Sequence, residues 1–129
     1  MKTITVGELI DAVEKNGYPK ITGTLFRQKP RGKQLWFIGK TAYTDRSIIT
    51  EDSTIGAACA IGQACINLGI TQPRGHDVIN WIIRKNDRTA MSVSEIGKAA
   101  RIKFANRLEE RIPVSEFDYS PFLKEPINA

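Results

Sequence analysis

The chain is predicted to be a single α+β domain, with a basic β-hairpin packed on a helical core of about four helices. Three observations predict it. Two capping boxes, Thr5-Val6-Gly7-Glu8 and Ser92-Val93-Ser94-Glu95, mark helix starts far apart in the sequence. Between Lys20 and Tyr43 the chain is rich in β-branched, aromatic and aliphatic residues around a central Pro30-Arg31-Gly32. From Ile55 to Leu68 it is almost wholly apolar, as in a helix buried on every side.

In chain order, Thr5 caps a first helix whose stripe is Val6, Leu9, Ile10 and Val13, the spacing of one helical face. Gly17 is expected to supply a left-handed stop, and Pro19 forbids continuation. Residues 18–44 form the hairpin. Ile21, Thr22, Leu25 and Phe26 face Leu35, Trp36, Phe37 and Ile38 across the turn, where proline fixes φ and glycine accepts a positive one. Strand alternation puts one of Trp36 and Phe37 on each face, so at least one belongs to the core. A third short strand is compatible with the pattern. Thr44 to Ser53 is a polar connection.

Ser53 or Thr54 is expected to cap the helix Ile55 to Leu68, and Gly69 with Ile70 has the form of a C′ glycine and its apolar contact. Gln63 and Asn67 are the only polar line on that helix, placed either to bond another buried backbone or to line a pocket. Asp77 caps a third helix with the stripe Val78, Ile79, Ile82 and Ile83, ending near Asn86-Asp87. The second capping box opens the longest helix, along the row Ile96, Ala100, Phe104, Leu108 and Ile112, until Pro113 stops it. Residues 113–129 are expected to be extended and packed through Phe117, Tyr119, Phe122 and Leu123.

The length of 129 residues suits one domain able to bury a core without metals or disulfides. With 41% hydrophobic and 26% charged residues the composition argues against disorder. No signal peptide is visible, and the apolar run is broken by Gly56, Gly62, Gln63 and Asn67. A cytoplasmic location, with no membrane partner, is the expectation. Cys59 and Cys65 would lie about 240° apart on a shared helix and are read as core thiols. A single histidine, His76, leaves no zinc ligand set, and no metal or cofactor is expected.

The charge is unevenly placed. Between Glu14 and Asp45 there is no acid but seven bases: Lys15, Lys20, Arg27, Lys29, Arg31, Lys33 and Lys40. The chain carries 19 bases and 14 acids, so without these seven it would be net negative. Such a segment points to an acidic partner, either nucleic acid or an acidic protein surface. Arg27, Lys29, Arg31, Lys33 and Lys40 are the candidate phosphate contacts, and Trp36 is the candidate for stacking on a base. The competing reading is a solvated tip. Lys103, Arg107 and Arg111, spaced by four on the predicted long helix, form a secondary basic row, although Glu95, Glu109 and Glu110 interrupt it.

Other chemistry is weaker. Ser94 to Ala100 has the look of the first helix of a helix-turn-helix, but no recognition helix follows. Cys59 would need a base, and flanking alanines in a helix interior suit a structural thiol better than a nucleophile. Asn86-Asp87 is either a helix-end cap or a polar pair that holds a ligand.

Cys59-Ala60-Ile61-Gly62-Gln63-Ala64 with Leu68-Gly69, then Ile79, Ile83, Asn86-Asp87 and Ser94-Glu95-Ile96, resembles a group of small bacterial and phage proteins with a Cys-Ala-(Ile/Leu)-Gly helix followed by an Asn-Asp step. That resemblance implies an accessory protein and no catalytic activity. The leading expectation is therefore a non-enzymatic protein that binds a polyanion, most simply nucleic acid, with low sequence specificity. The alternatives are a protein–protein module (a phage inhibitor of a host protein, or a structural part oligomerising through its aromatic tail) and a small-ligand protein holding a nucleotide near Asn86 and Asp87. An enzyme built on Cys59 and His76 ranks last.

Overall fold

Thr5 accepts a hydrogen bond from the Glu8 amide at 3.0 Å, and the Glu8 carboxylate accepts one from the Thr5 amide at 3.0 Å, so the first capping box forms as read. The computed structural model describes residues 2–15, 17–38, 41–44 and 53–123. Helix α1 (Val6–Glu14) buries Val6, Leu9, Ile10, Ala12 and Val13. Its end differs from expectation. The cap is Lys15, outside the left-handed region, and Gly17 instead donates its amide to the Gln63 side chain.

A short strand unforeseen in the sequence, β1 (Lys2–Thr5), precedes α1. The hairpin follows as β2 (Phe26–Arg27) and β3 (Gln34–Ile38), antiparallel, with β4 (Thr41–Tyr43) as the third strand. A fourth, β5 (Ala57–Ala58), completes a sheet of order β4-β3-β2-β5. The start of the predicted central helix has therefore become sheet. At Gly56 the chain lies against the hairpin, where an added Cβ would fall 1.9 Å from the Gln28 carbonyl oxygen. The Gly56 amide donates to Arg27 O. Helix α2 (Ala60–Leu68) begins later and is capped by the Cys59 sulfur, not by Ser53 or Thr54. Gly69 adopts the left-handed conformation and ends it, as the sequence predicts.

Helix α3 (Asp77–Arg88) is capped by the His76 ring, whose Nδ1 accepts from the Val78 amide; Asp77 lies one place inside. Helix α4 (Val93–Lys103) opens on the second capping box. It does not reach Ile112. After Lys103 the chain turns, and β6 (Arg111–Val114) pairs with β1, Thr5 opposite Arg111 and Lys2 opposite Val114. The Val6 and Gly7 amides, orphans of the first turn of α1, donate to Glu110 O and Leu108 O at 2.9 Å. Two needs thus outweigh the helical row: partners for those amides and for the β1 edge. Ile112 and Val114 are buried while Arg111 and Pro113 are exposed, the period of a strand.

The buried side chains make one core shared by α1–α4 and the inner faces of both sheets. The aromatic tail is packed as expected but not extended throughout: Ser120–Phe122 form a short 3-10 turn, and residues 124–129 lie outside the described residues. Phe37 meets Phe122 at 4.6 Å and Tyr119 at 6.0 Å between ring centroids, and Phe117 meets Tyr119 at 4.6 Å. Tyr119 and Phe122 are buried in these contacts. No helix among the described residues is long and apolar enough to cross a membrane.

Candidate nucleic-acid interface

The hairpin turn forms around Pro30 as read, but Gly32 does not adopt the positive φ expected of it; among the described residues only Gly23, Gly69 and Gly75 do. Gly32 N donates to Lys29 O at 2.9 Å, closing a four-residue turn with Pro30 at its second position, and Gln28 N donates to Lys33 O at 3.0 Å. Arg27 braces this turn by donating from Nη1 to Gly32 O at 2.9 Å. Lys29, Arg31 and Lys33 are exposed at the tip. Among the described residues they form no ion pair. Elsewhere Lys2 pairs with Glu116, Arg101 with Asp11 and Glu14, and Arg107 with Asp77 and Glu110, while the exposed Arg74, Arg84 and Arg88 also form no ion pair among the described residues. An open groove of about 510 Å³ beside the turn is lined by Lys20, Ile21, Thr22, Arg27, Pro30 and Arg31. Lys20 also has a structural task, donating Nζ to the carbonyls of Thr89 and Met91 at 3.0 and 2.6 Å just beyond α3. Lys40 lies outside the described residues.

Of the adjacent aromatics, Phe37 joins the core cluster and Trp36 lies on the opposite face. The alternation argument holds: both rings are half-buried, Phe37 against the core and Trp36 on the other face. Tyr43, directly across from it in the register, is not among the contacts expected from the sequence.

The secondary basic row is not assembled. Because α4 stops at Lys103, Arg107 falls in a short 3-10 turn and Arg111 in β6. Lys103 sits 6.0 Å from the Trp81 ring and 5.9 Å from the Phe104 ring. Arg107 forks onto Asp77 at 2.7 and 2.9 Å and also bonds Glu110, and Arg111 donates to Thr3 Oγ1. The hydrogen bonds from Arg107 hold the Asp77 carboxyl down at about 2, so this pair stays ionised at neutral pH. Arg107 is a strut between α3 and the turn, already supplied with anions.

The polar residues of the core are likewise occupied. Gln63, 1% exposed, accepts from the Gly17 and Tyr18 amides and donates to Tyr18 O and Ala58 O. Asn67 donates to Ala12 O and Lys15 O, closing the C-terminus of α1. Asn86, also 1% exposed, accepts from the Ala60 amide at 2.9 Å and donates to Ile21 O and Asp87 Oδ1. It caps α2, a neighbouring helix, and not its own. A cavity of about 200 Å³ lies beside Cys59, Asn86, Asp87, Thr24 and Gln72. Burial pushes the Cys59 thiol up to about 11, and Cys65 is raised further by burial. Both thiols are free and protonated at neutral pH. Among the described residues no group of three or more His, Cys, Asp or Glu is placed to hold a metal ion.

No known protein family, curated protein or solved structure matches the chain.

Proposed function

We propose that the protein is a non-enzymatic accessory protein that binds a polyanion, most simply nucleic acid, through the tip of the β2–β3 hairpin. The observation that carries this reading is the clustering of three exposed cations without an ion pair on one closed turn. Lys29, Arg31 and Lys33 stand exposed without a carboxylate partner among the described residues, whereas Arg101 and Arg107 each hold two. Three cations held by a short, closed turn present a compact positive field that phosphates can enter with release of counterions. Arg27 spends one donor on Gly32 O and keeps others for a phosphate oxygen. Trp36 supplies a ring for stacking. Contacts of this kind fix position and carry little sequence information, so binding is expected to be nearly sequence-independent.

Fluorescence anisotropy with mixed-sequence DNA and RNA at two salt concentrations tests it. Neutralising about three phosphates gives a slope of roughly −2 to −3 for log affinity against log salt. Absence of binding, or binding indifferent to salt, contradicts the reading. Capture of one acidic protein with no binding to DNA or RNA would move the tip to the protein–protein alternative.

A further inference from the structure

We infer that the nucleic acid taken by the hairpin is single-stranded, with its bases stacking on Trp36 and Tyr43 on the outer face of β3 and β4. This inference rests on the reading of the tip as a polyanion site and adds the form of the ligand. The register decides the geometry. Trp36 stands opposite Tyr43, and Arg27 stands opposite Gln34. Alternation then puts Arg27, Gln34, Trp36, Ile38 and Tyr43 on one face, and Phe26, Leu35, Phe37 and Ala42 on the other.

The two faces have different fates. Leu35 and Ala42 are buried, and Phe26 and Phe37 pack at 5.5 Å between centroids. On the outer face, Trp36 and Tyr43 are half-buried yet stand apart from the side chains packed against the core. Among the described residues neither makes a ring contact or a side-chain hydrogen bond. Ile38 beside them is 65% exposed. Directly opposed residues have Cβ atoms about 5 Å apart, so the two rings form one small apolar platform.

Charge complementarity selects the occupant. The same face carries Arg27, which opens into the groove shared with Lys20 and Arg31. At about 3.3 Å per residue, Trp36 lies about 10 Å along β3 from Lys33 at the tip. A strand whose phosphates follow the cations therefore brings its bases over the rings. Only unpaired bases can offer their faces to a side chain, because those of a duplex are stacked on one another. A duplex could use the tip but not the platform.

The test compares a mixed-sequence single strand, as DNA and as RNA, with its duplex and with heparin, a polyanion lacking bases. The single strand is expected to bind more tightly than the duplex at equal salt. Trp36→Ala should weaken the single strand roughly 5- to 150-fold, the range for loss of one base–aromatic stack. Affinity for heparin should stay unchanged, and Trp36→Phe should restore most of the loss. Tyr43→Leu reads the same platform should Trp36→Ala fail to fold. Equal affinity for single strand and duplex, with both aromatic variants silent, overturns the stacking inference while leaving the electrostatic tip intact. Failure of all three ligands to bind overturns the tip reading itself.

Discussion

Asn86→Ala is expected to destabilise the protein by about 4 kcal/mol, because it strips partners from two buried backbone groups at once. The amide of Ala60, the first residue of α2, loses its acceptor, and Ile21 O loses its donor. Each orphaned buried group costs about 1–3 kcal/mol, and the deleted amide leaves a void besides. Against a total stability of about 5–15 kcal/mol, the melting temperature should fall by more than about 10 °C. Asn67→Ala is the comparison. Its amide also donates two bonds, but to α1 carbonyls nearer the surface, where water can replace it. A loss at Asn86 no larger than at Asn67 would mean that the α2 start does not depend on this strut. Chemical denaturation of both variants measures the difference.

Gly56→Ala is expected to cost about 3 kcal/mol or more, an overpacking that no side-chain rotation relieves. The new Cβ would lie 1.9 Å from Gln28 O, 2.7 Å from Gln28 C and 3.0 Å from Lys29 Cα, all backbone atoms. Either β5 leaves β2 or the hairpin moves outward. Both disturb the segment that positions Lys29, Arg31 and Lys33, so the variant should lose stability and ligand binding together. Amide exchange locates the damage: protection at Gly56, whose amide bonds Arg27 O, and at Ala58, whose amide bonds Pro19 O, should fall first. Unchanged protection there would contradict the packing described.

What the sequence made legible was local. Both capping boxes, the Gly69 stop, the position of the Pro30–Gly32 turn (though not a positive φ at Gly32) and the division of Trp36 from Phe37 each follow from a few neighbouring residues. What it hid was pairing at long range. β1 and β6 are four-residue strands separated by the whole chain, and neither carries a pattern strong enough to outweigh the helical row from Ile96 to Ile112. Ala57 and Ala58 read as helix because alanine favours it, and only contact with β2 makes them strand. The candidate site divides in the same way. The tip cations were visible as a charge run, while the pairing of Arg107 with Asp77, thirty residues away, required the fold. Lys20 belongs to the run by sequence but to α3 by hydrogen bonding. The Asn86 role was invisible because a helix-end asparagine usually serves its own helix, and this one serves α2.

The central claim is that Lys29, Arg31 and Lys33 act together as an electrostatic handle for phosphates. It is tested most directly by the salt dependence of nucleic-acid affinity in the wild type and in the triple variant Lys29→Ala, Arg31→Ala, Lys33→Ala. All three side chains are exposed, so folding should be unaffected. Removing three phosphate contacts should flatten the log–log slope by about 2 to 3 and weaken binding by at least about tenfold, equally across sequences. A variant that keeps the wild-type slope would show that the ligand is held elsewhere and that the tip is only a solvated turn.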